Sequence, residues 1–445
     1  MIRFRYIAVI LISLASLLAF SIQTEDTHFN MLIQKAETFV RLLTGEKYKD
    51  AVSLFDPTML KLMPEPVLKS TWEGLLKSIG VLEAQSGTRT EKIGKYNAVY
   101  VLCRFTKEKI DIKIVFDEGQ KIAGLFFLPS QEYKPPTYAD RNSFSETDVT
   151  IGEGEWSLPG TLTRPLGKGP FPALVCVHGS GPNDRDESIG PNKPFQDIAW
   201  GLATQGIAVL RYDKRTKVYQ QKMAAMTTNL TVKEETLDDA LDAVEFLRKA
   251  DGIDVKRIFV LGHSLGGMLM PRLGIMDPDI AGLIVMAGPT RHLEDLFLEQ
   301  MKFAYWLDGR LSDEERADLG KIEEAVLTIK KLDASQAELT GERILGAKPG
   351  YWLDLQGYNP AEAAKELKQP LFIIQGGRDY QVKKKDFEGW KTSLSSRSDV
   401  AFKFYPLANH LFIMGRGIST PAEYLNSGNV ADEVILDIAG WIKNH

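Results

Sequence analysis

The sequence predicts an open, doubly wound and mostly parallel α/β sheet with a helical insertion, preceded by a smaller α+β domain. Three observations lead there. Continuous apolar runs such as Ala173-Leu174-Val175-Cys176-Val177 suit central parallel strands covered on both faces. From residue 138 onward such runs alternate with segments of helical periodicity, the pattern of a sheet wrapped by helices. Finally, Gly262-His263-Ser264-Leu265-Gly266 follows the run Arg257-Ile258-Phe259-Val260-Leu261 and precedes Gly267-Met268-Leu269-Met270, which reads as strand, tight turn and helix start with a serine at the tip.

The N-terminal residues 1–21 carry Arg3 and Arg5, an apolar run from Tyr6 to Phe20 and the small-x-small ending Ala19-Phe20-Ser21, followed by polar Gln23-Thr24-Glu25-Asp26. This is the anatomy of a secretory signal peptide, so a periplasmic or secreted location is expected. The alternative, an uncleaved N-terminal membrane anchor, has a short apolar run to work with. In residues 27–128, Leu32, Ile33, Ala36, Val40 and Leu43 share a helix face ended by Gly45. Shorter helical pieces follow near 48–55 and 66–79, then strand-like stretches at 81–85, 97–105, 110–116 and 121–128. This order, helices first and a meander afterwards, resembles the cone-shaped domains of the nuclear-transport-factor-2-like superfamily. Residues 129–137, with Pro129, Pro135 and Pro136, lack periodicity and read as a semi-rigid linker.

The catalytic domain is expected over 138–445, with strands at 148–151, 155–163, 172–178, 207–212, 257–261, 280–286, 370–375 and 401–405. Leu237, Ala240, Leu241, Val244 and Leu247 line a helix just before the serine strand, and Ala431, Val434, Ile435, Ile438 and Ile442 line the last helix. Between residues 290 and 360 the alternation stops. One amphipathic helix there carries Leu293, Leu296, Met301 and Tyr305, and another opens with the capping box Ser312-x-x-Glu315. An insertion behind a strand's carboxyl end rises above the site, so this segment reads as a lid, with Tyr305, Trp306, Tyr351 and Trp352 as candidate pocket residues.

Composition narrows the function. At 44% hydrophobic and 25% charged residues the chain is that of an ordinary globular protein. Its net charge of -5, with no basic run interleaved with aromatics, argues against a nucleic-acid partner. Membrane association is expected only through the N-terminal segment, were it to stay uncleaved. Cys103 and Cys176 lie in strand-like runs of different domains and read as buried thiols. No Cys/His set has zinc spacing, and neither His-Glu-x-x-His nor Gly-x-x-x-x-Gly-Lys occurs, so no metal and no cofactor is expected.

A serine hydroxyl is a weak nucleophile and needs a general base within reach, itself oriented by a carboxylate. In strand-turn-helix arrangements of this kind the chain order is serine, acid, histidine. Behind the strand Leu371-Phe372-Ile373-Ile374-Gln375 comes Gly376-Gly377-Arg378-Asp379, and behind Phe402-Lys403-Phe404-Tyr405 comes Asn409-His410. Ser264 is therefore the candidate nucleophile, His410 the base and Asp379 the orienting acid. The other histidines compete poorly: His28 lies outside the domain, His445 is terminal, His263 occupies the variable position of the turn, and His292 opens the insertion. Oxyanion donors are expected from the backbone N–H of Leu265 and, in His178-Gly179-Ser180-Gly181-Pro182, that of Ser180, with Gly181 as the alternative. The charged stretches Asn183–Glu187 and Arg211–Arg215 read as a structural salt-bridge network beside the site.

Together these motifs resemble bacterial α/β-hydrolase-fold serine esterases, in particular exported EstD-type carboxylesterases related to the dienelactone-hydrolase and prolyl-oligopeptidase branches. The likeness spans residue 138 to the C-terminus. It implies an α/β-hydrolase fold and hydrolysis of small-molecule carboxylic esters, best on short acyl chains, with Ser264, Asp379 and His410 matching the family's triad. Serine in place of cysteine departs from the dienelactone-hydrolase branch and speaks against a dienelactone substrate. A peptidase, acyltransferase or thioesterase of the same fold is the alternative within the class. An envelope-binding or assembly factor acting through the N-terminal domain is the alternative outside it.

Overall fold

The computed structural model describes residues 25–93, 96–130, 133–225, 230–333, 335 and 343–445; the predicted signal peptide lies outside them. No described helix is long and apolar enough to cross a membrane. The chain divides after Glu132 into two compact units.

In the first unit, the helix Glu25–Thr44, short helices at Tyr48–Val52 and Pro57–Leu62, and the helix Glu65–Ile79 precede an antiparallel meander of β1 (Leu82–Ile93), β2 (Tyr96–Phe105), β3 (Lys109–Phe116) and β4 (Ile122–Pro129). Alternation along the strands sends Val99, Val101 and Cys103 of β2 and Ile110, Ile112 and Ile114 of β3 into one core with Leu32, Ala36, Phe39 and Trp72 of the helices. β1 runs well past the expected 81–85. Its extension, Ser86 to Ile93, is polar and carries little hydrophobic signal, and it is held instead by its backbone ladder to β2, with register shifts at Leu82/Ala84 and Gln85/Gly87.

The second unit is built on an eight-stranded sheet of β5 (Phe144–Ile151), β6 (Leu158–Pro165), β7 (Phe171–Val177), β8 (Ala208–Tyr212), β9 (Ile253–His263), β10 (Gly282–Met286), β11 (Leu371–Gly376) and β12 (Val400–Tyr405), in the order β12-β11-β10-β9-β7-β8-β6-β5. β8 through β12 and β7 pair in parallel, while β5 and β6 form an antiparallel edge. Successive residues of the central strands feed opposite cores. Ala173, Val175, Val260 and Val285 pack with Ala240, Val244 and Met268 on one side; Leu174, Cys176, Leu261 and Ile284 pack with Ile198, Leu202, Ile435 and Ile438 on the other. Burial on both faces explains why these strands read as unbroken apolar runs. Cys103 and Cys176 are free and buried, and burial pushes the Cys103 thiol up to about 12.

The proline-rich stretch departs from the expectation of a linker over 129–137. Pro129 closes β4, and Tyr133 already belongs to the second unit, where its hydroxyl donates to Asp197 Oδ1 at 2.7 Å and its ring meets Trp200 edge-on at 5.9 Å. The reason is chemical: this tyrosine offers an apolar ring and a polar tip, and both find partners.

Arg211 of β8 ties the antiparallel edge to the loop behind β7. It is 2% exposed and contacts both Glu146 of β5 and Asp186. Lys193 Nζ reaches Asp186 at 2.9 Å and Trp200 Nε1 donates to Glu146 at 2.9 Å. Arg211→Met should remove the cation that Glu146 and Asp186 share, leaving each with one other cationic partner, Arg141 and Lys193, and cost on the order of 1–3 kcal/mol, read as a lower denaturation midpoint.

Candidate active site

Ser264 sits between the last residue of β9 and the first of the helix Leu265–Met276, at φ 53° and ψ −116°. A non-glycine residue there is strained and persists only where its surroundings over-determine it. Its N–H donates to Met286 O of β10 at 2.9 Å, and its carbonyl accepts from Met268 N at 3.0 Å. The flanking glycines answer a close approach of backbones. A Cβ on Gly262 would lie 2.3 Å from Gly266 O, and one on Gly266 would lie 2.4 Å from Val177 O of β7.

His410 follows β12 and Asp379 follows β11, and the His410 Nδ1 to Asp379 Oδ2 distance is 2.7 Å. Oδ2 also accepts from Gln375 Nε2 at 3.1 Å, while Oδ1 accepts from the backbone N–H of Gln381 and Val382 at 2.8 and 2.9 Å. With acceptors only on the aspartate, Nδ1 is the protonated nitrogen, which leaves Nε2 as the basic one. His410 is 3% and Asp379 6% exposed. Ser264 and His410 line one cleft together with Gly179, Ser180 and Leu265, under Leu293, Leu296, Phe297 and Gln300 of the inserted helix Leu293–Tyr305 and under Trp352. The cleft holds about 850 Å³ of empty space, its solvent mouth included.

Within the loop behind β7, the Gly179 N–H donates to Glu187 Oε1 at 2.6 Å. The N–H groups of Ser180 and Leu265 have no hydrogen-bond partner among the described residues. Leu265 is the first residue of its helix, where a free N–H and the helix dipole together favour negative charge.

Comparison with known proteins adds to this geometry. Residues 192–416 match the family described as serine aminopeptidase, S33, and residues 36–125 match a family described as a protein of unknown function, DUF3887. Over 416 residues the chain is 39% identical to Esterase EstD of Thermotoga maritima, covering 93% of this chain and 96% of that one. The chain belongs to the EstD family of α/β-hydrolase-fold esterases. Among solved structures it is similar in part to an esterase of Pyrococcus furiosus (18% identity, 71% of this chain and 98% of that one, TM-score 0.42) and to Est1E of Butyrivibrio proteoclasticus (16%, 67% and 99%, 0.42).

The four aromatics expected at the pocket separate in this esterase. Trp352 lines the cleft, whereas Tyr351 points to Glu235, donating to its Oε2 at 2.8 Å. Tyr305 is buried in its own helix, and Trp306 is 58% exposed on a separate hollow beside Leu311 and Leu319. Neighbouring residues on a helix point about 100° apart, so a pair such as Tyr351-Trp352 does not present both rings to one cleft. The inserted helices otherwise follow their signals. Ser312 Oγ accepts from Glu315 N at 3.2 Å, and the Glu315 carboxylate accepts from Ser312 N at 2.7 Å, completing the capping box.

His263 is the site residue that sequence reasoning passed over. It is buried in the wall of the cleft, its Nδ1 2.8 Å from Glu187 Oε2 and its Nε2 3.0 Å from the His410 carbonyl, with the two imidazole rings 4.5 Å apart. Its one sequence signal is adjacency to Ser264. Burial alone would lower the His263 pKa, but the facing Glu187 carboxylate outweighs it and the pKa is raised. Burial likewise pushes Glu187 up, and His263 reverses this, so the carboxylate is held below its ordinary value. His178, by contrast, is depressed to about 4, because burial, helped by the Lys214 charge, outweighs the pull of Glu187 and Asp184; its Nε2 lies 3.0 Å from the Asp184 carbonyl and holds the loop.

These shifts set a pH profile of stability. The unfolded chain protonates His178 near 6.5, whereas the folded chain resists down to about 4, so its contribution is full above about 6.5 and falls as pH drops, by up to roughly 3 kcal/mol. The raised His263 acts in the opposite sense, its contribution being complete below about 6.5 and lost as pH rises through its folded value. Thermal midpoints compared across pH should show His178→Phe losing less stability than wild type as pH falls from about 6.5 towards 4.

Proposed function

We propose that this esterase hydrolyses carboxylic esters through an acyl-serine intermediate, with Ser264 as nucleophile, His410 as general base, Asp379 as the acid that orients it, and the N–H groups of Leu265 and Ser180 as oxyanion donors. The observation that carries the reading is the 2.7 Å contact between His410 Nδ1 and Asp379 at a cleft that Ser264 also lines. His410 Nε2 takes the Ser264 proton as Oγ attacks the ester carbonyl, and the negative oxygen of the tetrahedral intermediate meets the two backbone donors. Collapse expels the alcohol, which receives the proton from Nε2. Water then attacks the acyl-enzyme with His410 again as base, and the acid leaves.

Leu293, Leu296, Phe297 and Trp352 offer an apolar wall over the serine, which supports small esters with short acyl chains as substrates. An aminopeptidase would need a carboxylate ready to receive a free amino terminus. The cleft's Glu187 is committed to Gly179 N and His263, which favours esters over peptides. Export rests on the charged, apolar and small-residue order of residues 1–21.

A series of p-nitrophenyl esters from acetate to decanoate, run beside aminoacyl p-nitroanilides and a thioester, tests the substrate class; kcat/KM should be highest at acetate or butyrate and lowest on the anilides. Ser264→Ala and His410→Gln should each lower kcat about 10⁵-fold or more, and Asp379→Asn about 10⁴-fold. Wild-type turnover in Ser264→Ala would sink the assignment. For export, N-terminal sequencing of protein recovered from the periplasm or medium should begin at Ile22, and an intact Met1 there would refute cleavage.

A further inference from the structure

The peptide group joining Gly179 to Ser180 is held by a buried cation. Lys214, just beyond β8, is 1% exposed, and its Nζ donates to Gly179 O at 2.9 Å and to Glu235 Oε1 at 2.7 Å. Asn183 Nδ2 supplements this at 3.2 Å from Gly179 O and 3.1 Å from Ser180 O. The second oxygen of Glu235 accepts from the Tyr351 hydroxyl of the inserted helix Pro349–Leu355. Glu235 itself lies in a π-helical turn, Lys233–Leu237. Such turns are rare and concentrate where a function holds them. Here the widened turn delivers the carboxylate that keeps Lys214 charged-paired away from water, at a depth where an unpaired ammonium would be costly.

The geometry of a peptide bond gives this grip a consequence. A trans peptide is planar, with C=O and N–H pointing in opposite directions. Fixing the Gly179 carbonyl on Lys214 therefore fixes the Ser180 N–H, which turns away from the lysine and finds no partner among the described residues. A cation on the carbonyl oxygen also polarises the amide and strengthens its N–H as a donor. On the other side of the same residue, Glu187 occupies the Gly179 N–H, so that group is withdrawn from the oxyanion.

We propose that Lys214, held by Glu235, is a positioning residue for ester hydrolysis: it aligns and polarises the Gly179–Ser180 peptide so that the Ser180 N–H meets the tetrahedral oxyanion. The inference rests on the reading of Ser180 as oxyanion donor. It concerns a charge that never touches the ester and acts only when negative charge develops on the carbonyl oxygen.

The test is the double variant Lys214→Met/Glu235→Gln, which removes the two charges together and leaves no orphaned carboxylate. With p-nitrophenyl butyrate, kcat should fall about 10- to 100-fold with KM within about twofold, a fraction of the loss expected for deleting a donor outright. The inhibition constant of an alkyl trifluoromethyl ketone, which adds to the serine as a tetrahedral adduct, should weaken by the same factor. A role in folding alone would not couple those two quantities. A folded double variant with wild-type kcat and inhibitor affinity would overturn the inference. Should that variant fail to fold, Lys214→Gln keeps a donor near Glu235 without the charge; a drop of at least about threefold in both quantities supports the inference, and no change overturns it. Ser264→Ala in the same assay separates the layers: activity there refutes the triad, whereas an inactive Ser264→Ala beside an unimpaired Lys214 variant refutes only the role of the lysine.

Discussion

Ser264 is held at a φ of 53° by backbone on either side of it. Its N–H is tied to β10, its carbonyl starts the helix that follows, and the glycines two residues to either side let Gly266 approach both β9 and β7. Strain of this kind costs on the order of 1–3 kcal/mol, and three adjacent parallel strands supply the constraint that sustains it. The serine therefore projects at the carboxyl edge of the sheet, where the loops behind β7, β11 and β12 also emerge. Everything else in the cleft is arranged around that fixed point.

Three buried pairs of opposite sign follow the chain segments that build the cleft. Glu187 faces His263, Lys214 faces Glu235, and Arg215 faces Asp239. Each pair sits where an unpaired member would be expensive; the first two also hydrogen-bond backbone or a neighbouring side chain, while Arg215 lies over the Trp156 ring, 5.1 Å from its centroid. The return on this burial is geometric. Glu187 holds the Gly179 N–H, Lys214 holds the Gly179 carbonyl, and His263 links Glu187 to the His410 carbonyl, so the loop behind β7 and the histidine loop share one rigid foundation. A neutral apolar layer would bury more cheaply but would leave those peptide groups free to rotate.

Much of this architecture was legible because its signals are local. Apolar runs marked all the central strands, since burial on both faces leaves no room for polar residues, and the capping box marked a helix start through two side chains only three residues apart. The Gly-x-Ser-x-Gly turn, the glycine-led Asp379 and the histidine after β12 declare themselves in the same way, through turn chemistry at strand ends. The structure brings His410 and Asp379 to 2.7 Å and places Ser264 at the same cleft. Signals faded where the stabilising partner is remote. The polar half of β1 is a strand only because β2 offers it a ladder, and Tyr133 looks like linker until Asp197 and Trp200 are beside it.

What the sequence determined alone, then, is the order of strands and helices and the identity of the serine, acid and histidine candidates, because periodicity and turn chemistry act over a few residues. The tertiary structure decided which neighbours those groups have. Whether Tyr351 or Trp352 faces the cleft depends on the rotation of one short helix, and whether His263 is idle or buried against Glu187 depends on a loop 76 residues away. Long-range contacts of that kind carry no local signature: a lysine that grips a peptide 35 residues distant has the same composition and spacing as one that points into water.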